Sequence, residues 1–137
     1  MQKILSVVAG IVLLFVILVA VQMFAPLLHP IPAGTKAGDP AALAQWMSTA
    51  PLAAQAVVVL AWFLSAFGAA WVALRISGWA PAAWGIALIG VVLAVANVLR
   101  FEHPLWMQIA AVAAPLLGGW LAIRASARAP AAESIDG

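Results

Sequence analysis

The chain has 137 residues, 67% of them hydrophobic and 7% charged, with no cysteine and a formal net charge of +2. Soluble domains carry about 25% charged residues, so the composition specifies lipid as the medium. The missing cysteines exclude disulfides, thiolate metal sites and cysteine nucleophiles, and the six Lys and Arg, scattered at the ends of apolar runs, form no patch that would hold nucleic acid.

In chain order, Lys3 precedes an apolar run over 4–25, about 33 Å long as a helix. A Lys before an apolar core also fits a signal peptide. The run is longer than an h-region of about 7–15 residues and lacks a clear A-x-A cleavage site, so it is expected to stay as a first transmembrane helix. Pro26, Pro30, Pro32 and Gly34 are expected to end it. Inside the loop over 26–50, Asp39-Pro40 is a helix start, with Asp as N-cap and Pro in the first position. Leu43, Trp46 and Met47 share one face of the short helix expected over 40–49, which reads either as an interfacial helix lying on the membrane or as a lid packed on the bundle.

A second span over 52–74 has no ionisable residue and would be about 34 Å long, enough to cross a hydrocarbon layer of about 30 Å. A tight connection over 76–81, broken at Ser77-Gly78, leads to a third span over 82–99. After a turn over 100–104 comes a fourth span over 105–123, with Pro115 expected to kink it. The Ala-rich remainder over 125–137 has no apolar periodicity and is expected to be a disordered tail. The predicted fold is therefore all-α: a polytopic membrane protein of four transmembrane helices in a compact bundle, with a short additional helix in the first loop.

Four spans put both termini on one side. That side would carry Lys3, Arg75, Arg124 and Arg128 against Lys36 and Arg100 opposite, which predicts cytoplasmic termini in an inner (plasma) membrane. His29-Pro30 and His103-Pro104 then lie on the outer face with Asp39 and Glu102. Trp46 and Trp106 are expected in the outer aromatic belt and Trp71, Trp79, Trp84 and Trp120 in the inner one.

Part of the lettering recurs. Pro51-Leu52 with Gln55 and Trp71 with Arg75 and Ser77 return as Pro104-Leu105 with Gln108 and Trp120 with Arg124 and Ser126; Gly10 and Gly90 each open a GxVL stretch followed by a His-Pro. The order suggests two helical hairpins of the same orientation related by a pseudo-twofold along the membrane normal. Membrane chemistry alone, with Pro at helix starts and Trp and Arg at interfaces, would also repeat these letters. For packing, Ala61, Ser65, Ala69 and Ala73, then Ala110, Ala114, Gly118 and Ala122, and finally Ala83, Ala87, Gly90, Ala94 and Asn97 form stripes of small residues suited to close helix contact. The third helix is expected against the second and fourth, with the first, rich in large aliphatics, at the periphery.

No span holds an ionisable residue in its centre, which counts against a proton-coupled exporter. Ser65 has no His or Lys at its depth to act as base, which counts against intramembrane proteolysis. Gln55, Asn97 and Gln108 are the buried polar candidates, either a vestibule for a headgroup or neutral solute or interhelical hydrogen bonds. Trp62, near midplane, is either a ligand platform or a packing residue. His29, His103, Glu102 and Asp39 are the only outer-face set with metal-ligand chemistry, but their spacing is a weak signal, and helix-start and turn roles are the expected explanation, so no metal is expected.

The segments LLHPIPAG, DPAALAQW, AWFLSAFGAAWVALRI and FEHPLW together resemble small bacterial integral membrane proteins of about this length with no assigned function. The resemblance runs from Met1 to about Arg124 and implies four helices and no cofactor. The expectation is a non-enzymatic structural, accessory or interaction subunit, with membrane lipids and either further copies of itself or a larger membrane protein as partners. A component of a small oligomeric transporter or channel, and an outer-face metal-dependent or lipid-processing enzyme using His29, His103 and Glu102, are the alternatives.

Overall fold

Apolar runs without internal breakers become helices, and the breakers fix where each stops. The computed structural model describes residues 1–36 and 38–128. Its helices are α1 (Gln2–Gln22), α2 (Ala25–Leu28), α3 (Pro40–Ser48), α4 (Leu52–Ser77), α5 (Ala80–Arg100) and α6 (Leu105–Arg128). Four stretches, Gln2–Leu28, α4, α5 and α6, are each long and apolar enough to cross a membrane.

Three boundaries differ from the sequence reading. Pro26 does not end the first span: a turn at Met23-Phe24 interrupts the ladder, and Pro26 then opens one further turn, α2, where its missing N–H costs nothing. The stop comes at His29-Pro30. Between the second and third spans the connection shrinks to Gly78 and Trp79. Gly78 takes the left-handed conformation (φ 62°) and its N–H returns to Leu74 O at 2.7 Å, while Pro81 sits harmlessly in the first turn of α5. Finally, Ala125, Ser126, Ala127 and Arg128, expected in a disordered tail, continue α6. The end of a hydrophobic stretch is not the end of a helix: no Gly or Pro stands between Trp120 and Arg128, and Ala favours the helix in any solvent. The rest of that expected tail lies outside the described residues.

α4 is the centre of the bundle. It packs on α1, α5 and α6, whereas the backbones of α1 and α6 do not approach each other. Its expected stripe, Ala61, Ser65, Ala69 and Ala73, is buried throughout, and so is a second line one step round the helix, Ala66 and Ala70. Two adjacent small faces admit two neighbours at close range. On the α6 side a Cβ placed on Gly118 would lie 2.7 Å from Phe63 O and 2.9 Å from Phe67 N, so the two backbones are in direct contact there. α5 closes the other side of that groove, with Gly90 against Pro115 and Ala87 against Gly119. Pro115 is buried within an unbroken α6.

α1 does sit at the edge, with 17% of its most apolar stretch buried against 44% for α4. It docks, however, through a face the sequence reading did not single out: Ser6, Gly10 and Leu14, four residues apart, are its buried residues. Gly10 lies over Ala69 O and the tip of Ile86.

The repeated letters make repeated local contacts. Gln55 Nε2 donates to Ala50 O and Gln108 Nε2 to His103 O, each at 3.0 Å. Arg75 lies over Trp71 at 5.4 Å and Arg124 over Trp120 at 4.8 Å. The likeness does not extend to the neighbours: exchanging α1 with α5 and α4 with α6 would turn the α4–α5 contact into an α1–α6 contact, which the bundle lacks.

Candidate functional site

The end of the bundle that carries the long first loop, here the lid end, holds nearly all the polar side chains singled out in the sequence. α3 covers it. Asp39 Oδ1 accepts from the backbone N–H of Ala41 at 3.0 Å and of Ala42 at 3.3 Å, the N-cap expected from Asp39-Pro40. α3 has no buried residue and makes no helix-to-helix backbone contact. It is tied down by the loop instead: Trp46 Nε1 donates to Pro30 O at 3.1 Å, His29 Nε2 donates to Trp46 O at 3.0 Å, and the two rings stack with centroids 5.1 Å apart.

The face made by Leu43, Trp46 and Met47 points into a cavity of about 170 Å³ beneath it. The cavity's other walls are Gln22 at the end of α1, Ala25 and Pro26 of α2, Val58 of α4, Asn97 of α5 and Phe101 just past its end. The geometry is that of a lid packed on the bundle end. Asn97 Oδ1 is buried without a hydrogen-bond partner, which in a mostly apolar chamber leaves a polar group that costs about 1–3 kcal/mol.

The other polar candidates do not join Asn97. Gln55 and Gln108 each fold back on a carbonyl just outside their own helix start, so neither bonds across helices and neither lines the cavity. A Gln four residues after the Pro that opens a helix is the signal for this arrangement. Trp62 is 3% exposed and belongs to a core cluster with Ala94, Met107, Ala111 and Ala114. Its ring reaches toward the lid end rather than staying at midplane, because helix side chains lean toward the N-terminus of their helix; it lies 6.5 Å from the ring of His103.

His103 is buried, and Nδ1–H donates to Phe101 O at 2.7 Å, while Nε2 is enclosed without a partner. Glu102, beside it, is exposed and lines a separate surface depression with Arg100, His103 and Gln108. His29 is engaged with Trp46, His103 with Phe101 and Trp62, and Asp39 with α3. Among the described residues no three His, Cys, Asp or Glu side chains converge on a point where an ion could be held.

At the opposite, terminal end stand Lys3, Arg75, Arg124 and Arg128. Three of these cations lie over indoles: Lys3 over Trp79 at 5.2 Å, Arg75 over Trp71 and Arg124 over Trp120. Trp71, Trp79, Trp84, Trp106 and Trp120 are all between 38% and 41% exposed, whereas Trp62 alone is enclosed. Half-exposed indoles at helix ends are what an interfacial belt requires.

No protein-family model, no curated protein and no solved structure matches the chain.

Proposed function

We propose that this is a non-enzymatic integral membrane subunit that works by presenting helix faces to a membrane partner, either a larger protein or further copies of itself. In this reading it is bacterial, lies in the inner membrane and has cytoplasmic termini. The observation that carries the reading is the distribution of side-chain size. Small residues fill the seams between α4, α5 and α6, while Val8, Val12, Phe15, Val16 and Val19 of α1 face outward. A bundle closed on itself in this way has its large apolar surfaces available for neighbours.

Purification in mild detergent with Val12 and Val16 changed to Trp tests it. The expected result is loss of a stoichiometric membrane partner, or of self-association, with the fold retained. Solute flux through liposomes containing this protein alone would overturn it in favour of the transporter component. That second reading draws on one observation, the unpartnered Asn97 oxygen beside the lidded cavity. Gln55 and Gln108, turned onto their own carbonyls, give it no path. The separate engagements of His29 and His103 give the enzyme reading none.

A further inference from the structure

The three cation–indole pairs of the terminal end are not equivalent. Arg75 with Trp71 and Arg124 with Trp120 each sit four residues apart on one helix. Lys3 and Trp79 come from different elements, the first turn of α1 and the two-residue connection between α4 and α5. A pair that bridges two elements leaves a recess between them, and there is one here: a groove of about 280 Å³ lined by Lys3, Ile4, Val7, Val8 and Trp79. Its walls are wholly apolar, Lys3 contributing its methylene stem, and the Lys3 ammonium stands over the Trp79 ring.

We propose that this groove binds one anionic phospholipid, with the headgroup phosphate on Lys3 and the upper methylenes of an acyl chain along Ile4, Val7 and Val8. The Trp79 ring holds the ammonium at the rim, and an ammonium on a ring face still has N–H donors turned outward for a phosphate oxygen. Charge selects the headgroup. Lys3 shares its end of the bundle with Arg75, Arg124 and Arg128, whereas the acidic side chains among the described residues, Asp39 and Glu102, stand at the lid end. A zwitterionic lipid would bring its own cation into this field, and a phosphatidylglycerol would not.

Native mass spectrometry of the full chain, loaded with phosphatidylglycerol or with phosphatidylcholine of the same acyl chains, tests the site. The wild type should retain phosphatidylglycerol in preference. Lys3→Gln should lower its occupancy about fivefold, the effect of one basic side chain at an anionic surface, and Lys3→Arg should restore it. Val8→Trp, which fills the groove without removing charge, should also lower it, while Arg124→Gln should leave it within about twofold. An equal loss in Arg124→Gln and Lys3→Gln would mean diffuse attraction rather than a site, and equal retention of the two lipids would remove the charge argument. Displacement by soluble glycerol phosphate as effectively as by the lipid would show a free-anion site. Each of these outcomes overturns the proposal.

Discussion

On its α6 side α4 meets its neighbour backbone to backbone, for an added Cβ on Gly118 would press on Phe63 O and Phe67 N, atoms that cannot rotate away. On its α1 side an added Cβ would meet less fixed atoms: on Gly10 it would have the main-chain Ala69 O only at 3.3 Å and press on the tip of Ile86, which reaches in from α5, and on Gly68 of α4 it would press on the tip of Ile17 of α1. One seam is therefore set by main-chain atoms, and the other mainly by the ends of flexible side chains, Ile17 of α1 and Ile86 of α5. Lipid is as apolar as the helices themselves, so close packing rather than exclusion of water holds each seam. The rigid seam should tolerate no added volume and the soft one some.

Substitution by Ala at three glycines makes this quantitative in equilibrium unfolding from mixed micelles. Gly118→Ala should destabilise most, by about 2–3 kcal/mol, because overpacking against backbone outweighs the helix-propensity gain of Ala. A neutral result there would mean the α4–α6 seam is looser than described. Gly10→Ala should cost about 1 kcal/mol or less, since turning the tip of Ile86 about 30° off its rotamer costs about 0.5–1.5 kcal/mol while Ala returns about 1. If it matches Gly118→Ala, the distinction between the seams is lost. Gly85→Ala, where nothing lies within 4 Å of the added Cβ, should stabilise by about 0.5–1 kcal/mol. A loss at Gly85 would place a neighbour on a face that is open in this bundle.

Much of this arrangement could be read from the chain beforehand. The start of α3 was legible because Asp39-Pro40 specifies both a cap and a first helical residue. The stop at Gly78 was legible because glycine is favoured in the left-handed conformation found there. The three stripes of α4, α5 and α6 were legible because spacing alone brings them onto single faces. What escaped was information carried by neighbours. Ser6 and Gly10 are small residues in a run of mostly large ones, and the role of Gly10 appears only when Ala69 is opposite. Ala66 and Ala70 lie off the stripe that spacing by four picks out, yet they are what lets α4 take a second partner and become the centre. At the lid end, a Gln in an apolar run suggests a buried polar site, but Gln55 and Gln108 answer to a local geometry, a free carbonyl five residues back. Asn97, further from any helix start, has no such outlet and is the one of the three left in the cavity wall.

The central claim is that α4 separates α1 from α6, and the absence of native cysteine makes it directly testable by disulfide trapping in membranes. A Cβ on Gly90 would lie 3.6 Å from that of Ala66, within the range of about 3.5–4.5 Å for a disulfide. The paired variant Ala66→Cys with Gly90→Cys should therefore cross-link on oxidation, whereas Ala9→Cys with Ala122→Cys, one on α1 and one on α6, should stay reduced. Efficient trapping of the α1–α6 pair, with none between Ala66 and Gly90, would contradict the arrangement.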